Sequence, residues 1–166
     1  LLSFYRQLFE DNLFHGDLHP GNIMLLRDSR FALIDFGTVG NLEARFVANY
    51  QKQAIALAEH DYAKAADLYL LLADTLPPTD TAGFRTDLIE IYRAWSARTQ
   101  LRGLSYLEKS ISGGVANDVQ AIARRYQVNP SGQFLRVARA LSTLDASLNV
   151  LLGDADPNKL IRRYQR

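Results

Sequence analysis

The 166 residues contain no cysteine, which excludes a disulfide framework and any zinc site built on thiolates and leaves the redox compartment unspecified. An excess of charge of one sign is lacking too. The 19 basic and 18 acidic side chains leave a net charge of +1, so no general field draws the chain to nucleic acid or to an anionic membrane, although the last few residues are locally basic. Long apolar runs are missing: Leu68 to Ala73 is the longest, far short of the roughly 20 residues that span a bilayer. The N-terminus has no basic region followed by an apolar stretch, so no targeting segment is read there. No internal repeat or low-complexity segment is present, and a cytoplasmic setting is compatible with all of this.

What is there is an ordinary folding composition, 48% apolar and 22% charged, enough for one domain with a buried core. The chain opens at Leu1 in mid-pattern, with Leu2, Tyr5, Leu8 and Phe9 at helical spacing, and reads as a piece of a longer protein. A helix is expected to about residue 12. Two short apolar runs follow a loop, Ile23-Met-Leu-Leu26 and Phe31-Ala-Leu-Ile34, separated by the polar Arg27-Asp-Ser-Arg30, a small hairpin signal. From Asn41, a plausible cap, the period turns helical and stays so, through Leu42, Phe46, Val47, Tyr50 and Ile55, then Tyr62, Ala65, Ala66, Tyr69 and Leu72. Pro77-Pro78 stops one helix, and Thr79 or Asp80 caps the next, with a stripe of Phe84, Leu88, Ile91 and Trp95. Ser112-Gly-Gly114 reads as a break. Val119, Ile122, Ala123 and Tyr126 line a further helix, and Phe134 to Leu151 the longest, ended by Gly153 to Pro157.

The chemistry lies in His15-Gly-Asp-Leu-His-Pro-Gly-Asn22 and Asp35-Phe-Gly37. Phosphoryl transfer from a nucleotide needs a carboxylate near the attacking oxygen and oxygen ligands for magnesium, because catalysis is mostly positioning and charge neutralisation. Asp17, Asn22 and Asp35 supply that set, at offsets of five and thirteen residues with a hairpin between the last two, the spacing of a kinase catalytic loop and its metal-binding triad. Mg²⁺ is a hard cation that takes carboxylate, amide and phosphate oxygens, so Asn22 and Asp35 are the expected metal ligands. Asp17 is expected to orient the acceptor and take its proton late. Pro20 and Gly21 would turn Asn22 back towards the metal, Gly37 would let the backbone bend and contribute to the nucleotide site, and Phe36 would pack inward.

Two positions depart from the protein-kinase pattern. Gly16 stands where those enzymes have Arg, leaving no partner for a phosphorylated activation segment, so phosphorylation between Thr38 and Asn49 is expected to be irrelevant. His19 stands where serine/threonine kinases have Lys and would serve as a cation when protonated, or as a neutral donor to phosphate or a backbone group.

The runs Phe14-His-Gly-Asp-Leu-His-Pro-Gly-Asn-Ile23 and Leu33-Ile-Asp-Phe-Gly-Thr-Val-Gly40 resemble the UbiB/ADCK family of atypical kinase-like proteins linked to ubiquinone and related isoprenoid-lipid metabolism. The later helices, the Asp61-Tyr-Ala-Lys64 helix start and the Pro77-Pro78 break look like that family's helical lobe, with less specificity. The resemblance implies Asp17 as the catalytic-loop aspartate, Asn22 and Asp35 as magnesium ligands, and His15 and His19 as the loop histidines of the catalytic set. It also implies ATP and Mg²⁺ as cofactors, an isoprenoid lipid or lipid-biosynthesis proteins as partners, and peripheral contact with the inner face of a membrane. The family's N-terminal extension, alanine-rich nucleotide loop, strand lysine and helix glutamate would all precede Leu1, so the fragment alone is expected to be a poor kinase.

The fold class expected is therefore mainly α with a small β hairpin, the C-terminal lobe of the protein-kinase-like fold. It forms one domain over 1–166, with the catalytic and metal-binding segment in 1–40 and a helical subdomain in 41–166. Other readings are weaker. His15, Asp17 and His19 alternate as zinc ligands on a strand would, but Pro20-Gly21 opposes an extended strand. An aminoglycoside- or choline-kinase-like phosphotransferase shares the His-Gly-Asp-x-His-x-x-Asn pattern but usually has acidic residues shortly after the second aspartate, whereas Thr38-Val-Gly-Asn-Leu42 leads into a helix. A nucleotide-switched pseudokinase conflicts with an intact Asp17, Asn22 and Asp35. His60 reads as an exposed helix-end histidine, the Leu68 to Ala73 run as core, Trp95 and the eight tyrosines as packing, and Lys159, Arg162, Arg163 and Arg166 as a solvated face.

Overall fold

The computed structural model describes residues 1–28, 30–75 and 80–152. Helix α1 (Leu2–Phe9) buries Phe4, Tyr5 and Leu8 on one face and ends at Glu10, earlier than the apolar spacing suggests. Asn12 stops it by taking a positive φ of 46°, which Asn tolerates better than most residues. Its side-chain amide then donates to the Leu42 carbonyl at 2.8 Å and accepts the Leu42 amide at 3.0 Å, tying the exit of α1 to the entrance of the helical region.

Three small antiparallel pairings follow. Strand β1 (Phe14–His15) pairs with β4 (Val39–Gly40), with Phe14 opposite Gly40 and His15 opposite Val39. Strands β2 (Ile23–Leu25) and β3 (Phe31–Leu33) form the expected hairpin, Ile23 opposite Leu33 and Leu25 opposite Phe31, closed by the Leu26 amide on the Arg30 carbonyl at 2.9 Å. The third was not anticipated. Strand β5 (Ala73–Thr75) pairs with β6 (Asn129–Pro130), so the region after Asn41 is not wholly helical; two loops far apart in sequence satisfy each other's backbone groups there.

The helices are α2 (Ala44–Ala58), α3 (Tyr62–Leu71), α4 (Thr81–Thr99), the short α5 (Tyr106–Lys109) and α6 (Ile111–Gly114), α7 (Ala116–Arg125) and α8 (Gly132–Leu152). Helix α2 starts after Glu43, not at Asn41, and has no side-chain cap. Asp61 and Asp80 cap α3 and α4 by accepting the amides of Lys64 at 3.0 Å and Gly83 at 2.7 Å, the usual use of a short carboxylate at a helix start. Ser112-Gly-Gly114 is not a break but lies in α6. A Cβ on Gly113 would come within 2.2 Å of the Leu107 carbonyl oxygen, and one on Gly114 within 2.6 Å of that of Glu108, so the glycines permit close approach of α5. Pro77-Pro78, Thr79, Gly153 to Pro157 and the basic residues from Lys159 onward lie outside the described residues.

Two apolar clusters hold the elements together. One joins α1, β1, the following loop, the start of α2 and α8 through Phe4, Leu8, Phe14, Leu18, Phe46 and Leu144. The other joins α2, α3, α4 and α7 through Ala65, Tyr69, Phe84, Leu88, Trp95 and Val128. Phe134 of α8 packs against both. The Leu68 to Ala73 run is core at Leu68, Tyr69 and Leu72, while Leu71 is exposed. This is the mainly helical kinase-like lobe expected, with the site on its β-containing end.

Candidate functional site

The loop between β1 and β2 is held from three sides. From α1, the Gln7 side-chain oxygen accepts the His15 amide at 3.0 Å. From α8, the Thr143 hydroxyl accepts the Leu18 amide at 3.2 Å and the Ser147 hydroxyl donates to the Leu18 carbonyl at 2.7 Å. From the residue before β4, the Thr38 carbonyl accepts the Gly16 amide at 2.7 Å. Sequence reasoning missed Gln7, Thr143 and Ser147; the available signal was a pair of hydroxyl residues four apart on the otherwise apolar face of the last helix.

Gly16 is fixed by that third contact. A Cβ there would lie 2.8 Å from the Thr38 methyl carbon and 3.2 Å from its carbonyl oxygen, so the close strand pairing itself excludes a side chain. Gly40 allows a similar approach, since a Cβ there would meet the Phe14 ring at 2.8 Å.

His15 is 1% exposed, and both ring nitrogens are engaged. Nδ1 accepts the Asp17 amide at 3.2 Å and Nε2 bonds the Ile34 carbonyl at 3.2 Å. An amide can only donate and a carbonyl can only accept, so the proton sits on Nε2. The ring therefore bridges the loop and the Asp35 segment, and neither nitrogen remains for a substrate. Expected as a catalytic-loop histidine, His15 has both ring nitrogens engaged with the backbone of the two segments it joins.

His19 is exposed. Its Nδ1 accepts the Gly21 amide at 3.1 Å, which puts any proton of the neutral ring on Nε2, facing solvent as a donor. Pro20–Asn22 forms the tight 3₁₀ turn expected of Pro20-Gly21, closed by the Asn22 amide on the His19 carbonyl at 2.9 Å. That turn buries Asn22, and its side-chain nitrogen donates to the Asp17 carbonyl at 3.0 Å. The acceptor is a carbonyl, so the amide orientation is settled: NH₂ faces Asp17 and Oδ1 has no hydrogen-bond partner among the described residues.

The hairpin explains the spacing of thirteen. Its register continues past the strands, the Ile34 amide donating to the Asn22 carbonyl at 3.0 Å, so Asn22 and Asp35 flank the same end of the ladder. Asp35 is exposed and takes a positive φ of 59°, with Oδ1 accepting the Gly37 amide at 3.2 Å. The bend is thus at Asp35 itself, and Gly37, expected to supply it, has no positive φ. Phe36, expected to pack inward, is 60% exposed, although its ring lies 5.6 Å from that of His15. The Asp17 carboxylate is half-buried and has no hydrogen-bond or salt-bridge partner among the described residues.

Magnesium fits this donor set. Asn22 Oδ1 and the second oxygen of Asp35 are hard oxygens with no partner among the described residues, carried by residues at one end of the hairpin, and Mg²⁺ is commonly held by one or two protein oxygens with phosphates and water completing its shell. Among the described residues no group of three or more His, Asp or Glu converges as a metal site, and the Nδ1 bonds of His15 and His19 turn those rings to backbone amides instead of a shared centre. Among the same residues no helix is long and apolar enough to cross a membrane.

Residues 1–69 match the model of the ABC1 atypical kinase-like domain. The chain is 39% identical over 74 residues to an uncharacterized protein of Synechocystis, covering 45% of this chain and 18% of the relative. It is 35% identical over 85 residues to the Probable protein kinase UbiB of Shewanella halifaxensis, covering 49% and 16%, and 38% identical over 71 residues to the Probable protein kinase UbiB of Blochmanniella pennsylvanica, covering 40% and 13%. The matches thus span less than a fifth of the length of these relatives. No solved structure matches the chain.

Proposed function

Residues 1–69 carry the ABC1 atypical kinase-like domain of UbiB-type proteins, and from that premise we propose that the chain supplies the acceptor-side and metal-side groups of an ATP- and Mg²⁺-dependent phosphoryl transfer or ATP hydrolysis. The observation that carries the reading is the orientation of Asn22, whose NH₂ is held on the Asp17 carbonyl, leaving Oδ1 as its acceptor atom, on a residue whose own carbonyl takes the amide of Ile34, next to Asp35. Bound magnesium would neutralise the phosphate oxygens as the transferred group leaves the nucleotide. Asp17, with no competing partner, orients the attacking hydroxyl or water and accepts its proton as the new P–O bond forms. His19 offers Nε2–H to a phosphate oxygen, and His15 keeps Asp17 and Asp35 in register.

In this proposal the groups that cradle the nucleotide come from chain outside residues 1–166. Exposure of Met24, Leu25, Phe31 and Phe36 beside the site supports a covering element there, since such a cluster is unusual on a free surface. Ubiquinone or isoprenoid-lipid metabolism as the setting, with peripheral membrane contact and an isoprenoid lipid or lipid-biosynthesis protein as partner, is carried by resemblance to the UbiB proteins.

The test is ATP turnover by the full-length protein, with and without lipid vesicles, comparing wild type with Asp35→Asn and Asp17→Ala. Magnesium-dependent turnover lost in both variants supports the reading. Turnover unaffected by either substitution, with nucleotide still bound, replaces it with a nucleotide-switched binding module.

A further inference from the structure

The helical region contains a cavity of about 460 Å³ whose lining includes none of the residues from 14 to 40. It lies among α1, α2, α4, α6, α7 and α8, with exposed Gln120, Arg124 and Leu135 at its rim. The volume is that of a site for a small organic ligand. Most of the wall is apolar, and a handful of polar groups are gathered within it.

Asp145 is the only acidic residue of the lining and is 4% exposed. The Tyr106 hydroxyl donates to its Oδ1 at 2.9 Å and the Ser112 hydroxyl to its Oδ2 at 2.5 Å. These two hydroxyls, together with the Ser110 hydroxyl and the Ser112 amide, favour the ionised form but do not balance its charge, and no basic side chain pairs with it among the described residues. Burial pushes the Asp145 carboxyl above its ordinary range despite those hydrogen bonds.

One other buried polar group of the lining has unfilled capacity. Gln53 is 4% exposed, and its side-chain nitrogen donates to the Ala65 carbonyl and the Tyr92 hydroxyl, both at 3.4 Å, which leaves its Oε1 without a donor among the described residues. Burial pushes the phenols of Tyr50 and Tyr92 well up, so they stay neutral and add no competing negative charge. The exposed Arg124 at the rim is surrounded by water, which screens it from the interior.

We propose that this cavity binds a small organic monocation, a protonated amine on an apolar body, with the ammonium paired to Asp145 and the body among Tyr50, Leu57, Tyr92 and Val115. A cation is the ligand class that balances a desolvated carboxylate, which a neutral donor does not, and tyrosine rings attract cations through their π faces. Water alone would find polar partners only at one end of so apolar a wall. The site is independent of the phosphoryl-transfer reading. Asp145 nevertheless lies between Thr143 and Ser147, the two α8 residues that hold Leu18 of the catalytic loop.

The test titrates the full-length protein with 2-phenylethylamine and with its uncharged counterpart 2-phenylethanol, by calorimetry and ligand-observed NMR, in wild type, Asp145→Asn and Ala138→Phe. The amine is expected to bind wild type about tenfold tighter than the alcohol or better, to lose that preference in Asp145→Asn, and to be excluded along with the alcohol by Ala138→Phe, which fills the cavity. Equal binding of the two probes to wild type, no binding of either, or a preference that survives Asp145→Asn each overturns the proposal. Thermal unfolding of each variant checks that it is folded; if Asp145→Asn is not, the wild-type preference and its loss in Ala138→Phe decide alone.

Discussion

The imidazole of His15 donates through Nε2 to the Ile34 carbonyl at 3.2 Å, and this one bond joins the loop after β1 to the residue preceding Asp35. Because its other nitrogen holds the Asp17 amide, removing the ring leaves a part-buried amide and a partly exposed carbonyl without these partners. His15→Ala is expected to cost about 2–4 kcal/mol in stability, seen as a lower denaturant midpoint, and to weaken magnesium-dependent nucleotide binding. Unchanged stability would show that water or a neighbour replaces both bonds.

Gly16→Ala places a methyl 2.8 Å from the Thr38 methyl carbon. The strand pair must part, at a cost of about 1–3 kcal/mol. Thr38→Ser removes that methyl carbon, so the double variant should recover part of the loss in an equilibrium unfolding experiment. Equal losses with and without Thr38→Ser would place the strain on the carbonyl contact at 3.2 Å instead.

Ser147→Ala removes the buried donor to the Leu18 carbonyl and is expected to cost about 1–3 kcal/mol. Amide hydrogen exchange should quicken locally in residues 16 to 22 if α8 is what holds the loop. A global loss of stability without that local change would argue that the hydroxyl matters only to helix packing.

Asp145 sets a pH dependence opposite to ordinary acid unfolding. Its carboxyl is raised in the folded state, chiefly by burial, so between the unfolded value of about 3.9 and the raised folded value the native chain binds the extra proton. The stabilisation from this group is fully present below that window and is lost as pH rises through it. Denaturant midpoints measured across the window should fall with rising pH for this contribution, and Asp145→Asn should flatten it.

Much of the candidate site's local geometry was legible because its parts lie close in sequence. Asp17 and Asn22 lie five residues apart on one loop, and the Ile23 to Ile34 runs announced the hairpin that returns the chain to Asp35. Helix α4 showed its buried stripe through Phe84, Leu88 and Trp95. The errors arose where a residue's role depends on a distant partner. Phe36 was placed inward by its apolar character, yet the residues present leave its ring exposed. Gly113 and Gly114 suggested a break because their contacts with Leu107 and Glu108 are invisible to local pattern. Asn41 is a good capping residue by type, but the start of α2 is set instead by Leu42, held by Asn12 thirty residues upstream.

By itself the sequence determined the identity and order of the candidate groups, the hairpin that spaces Asn22 from Asp35, and a helical region with enough apolar stripe to bury a core, because residue type and short-range periodicity act over a few positions of chain. Only the tertiary structure decided that the His15 ring bridges two segments, that the Asn22 amide turns its nitrogen to the Asp17 carbonyl, that Thr143 and Ser147 grip Leu18 from more than a hundred residues away, and that Asp145 is buried beside a tyrosine-lined cavity. Each of these depends on which groups are left to satisfy one another once water has been excluded, and that is fixed only when the helices have packed.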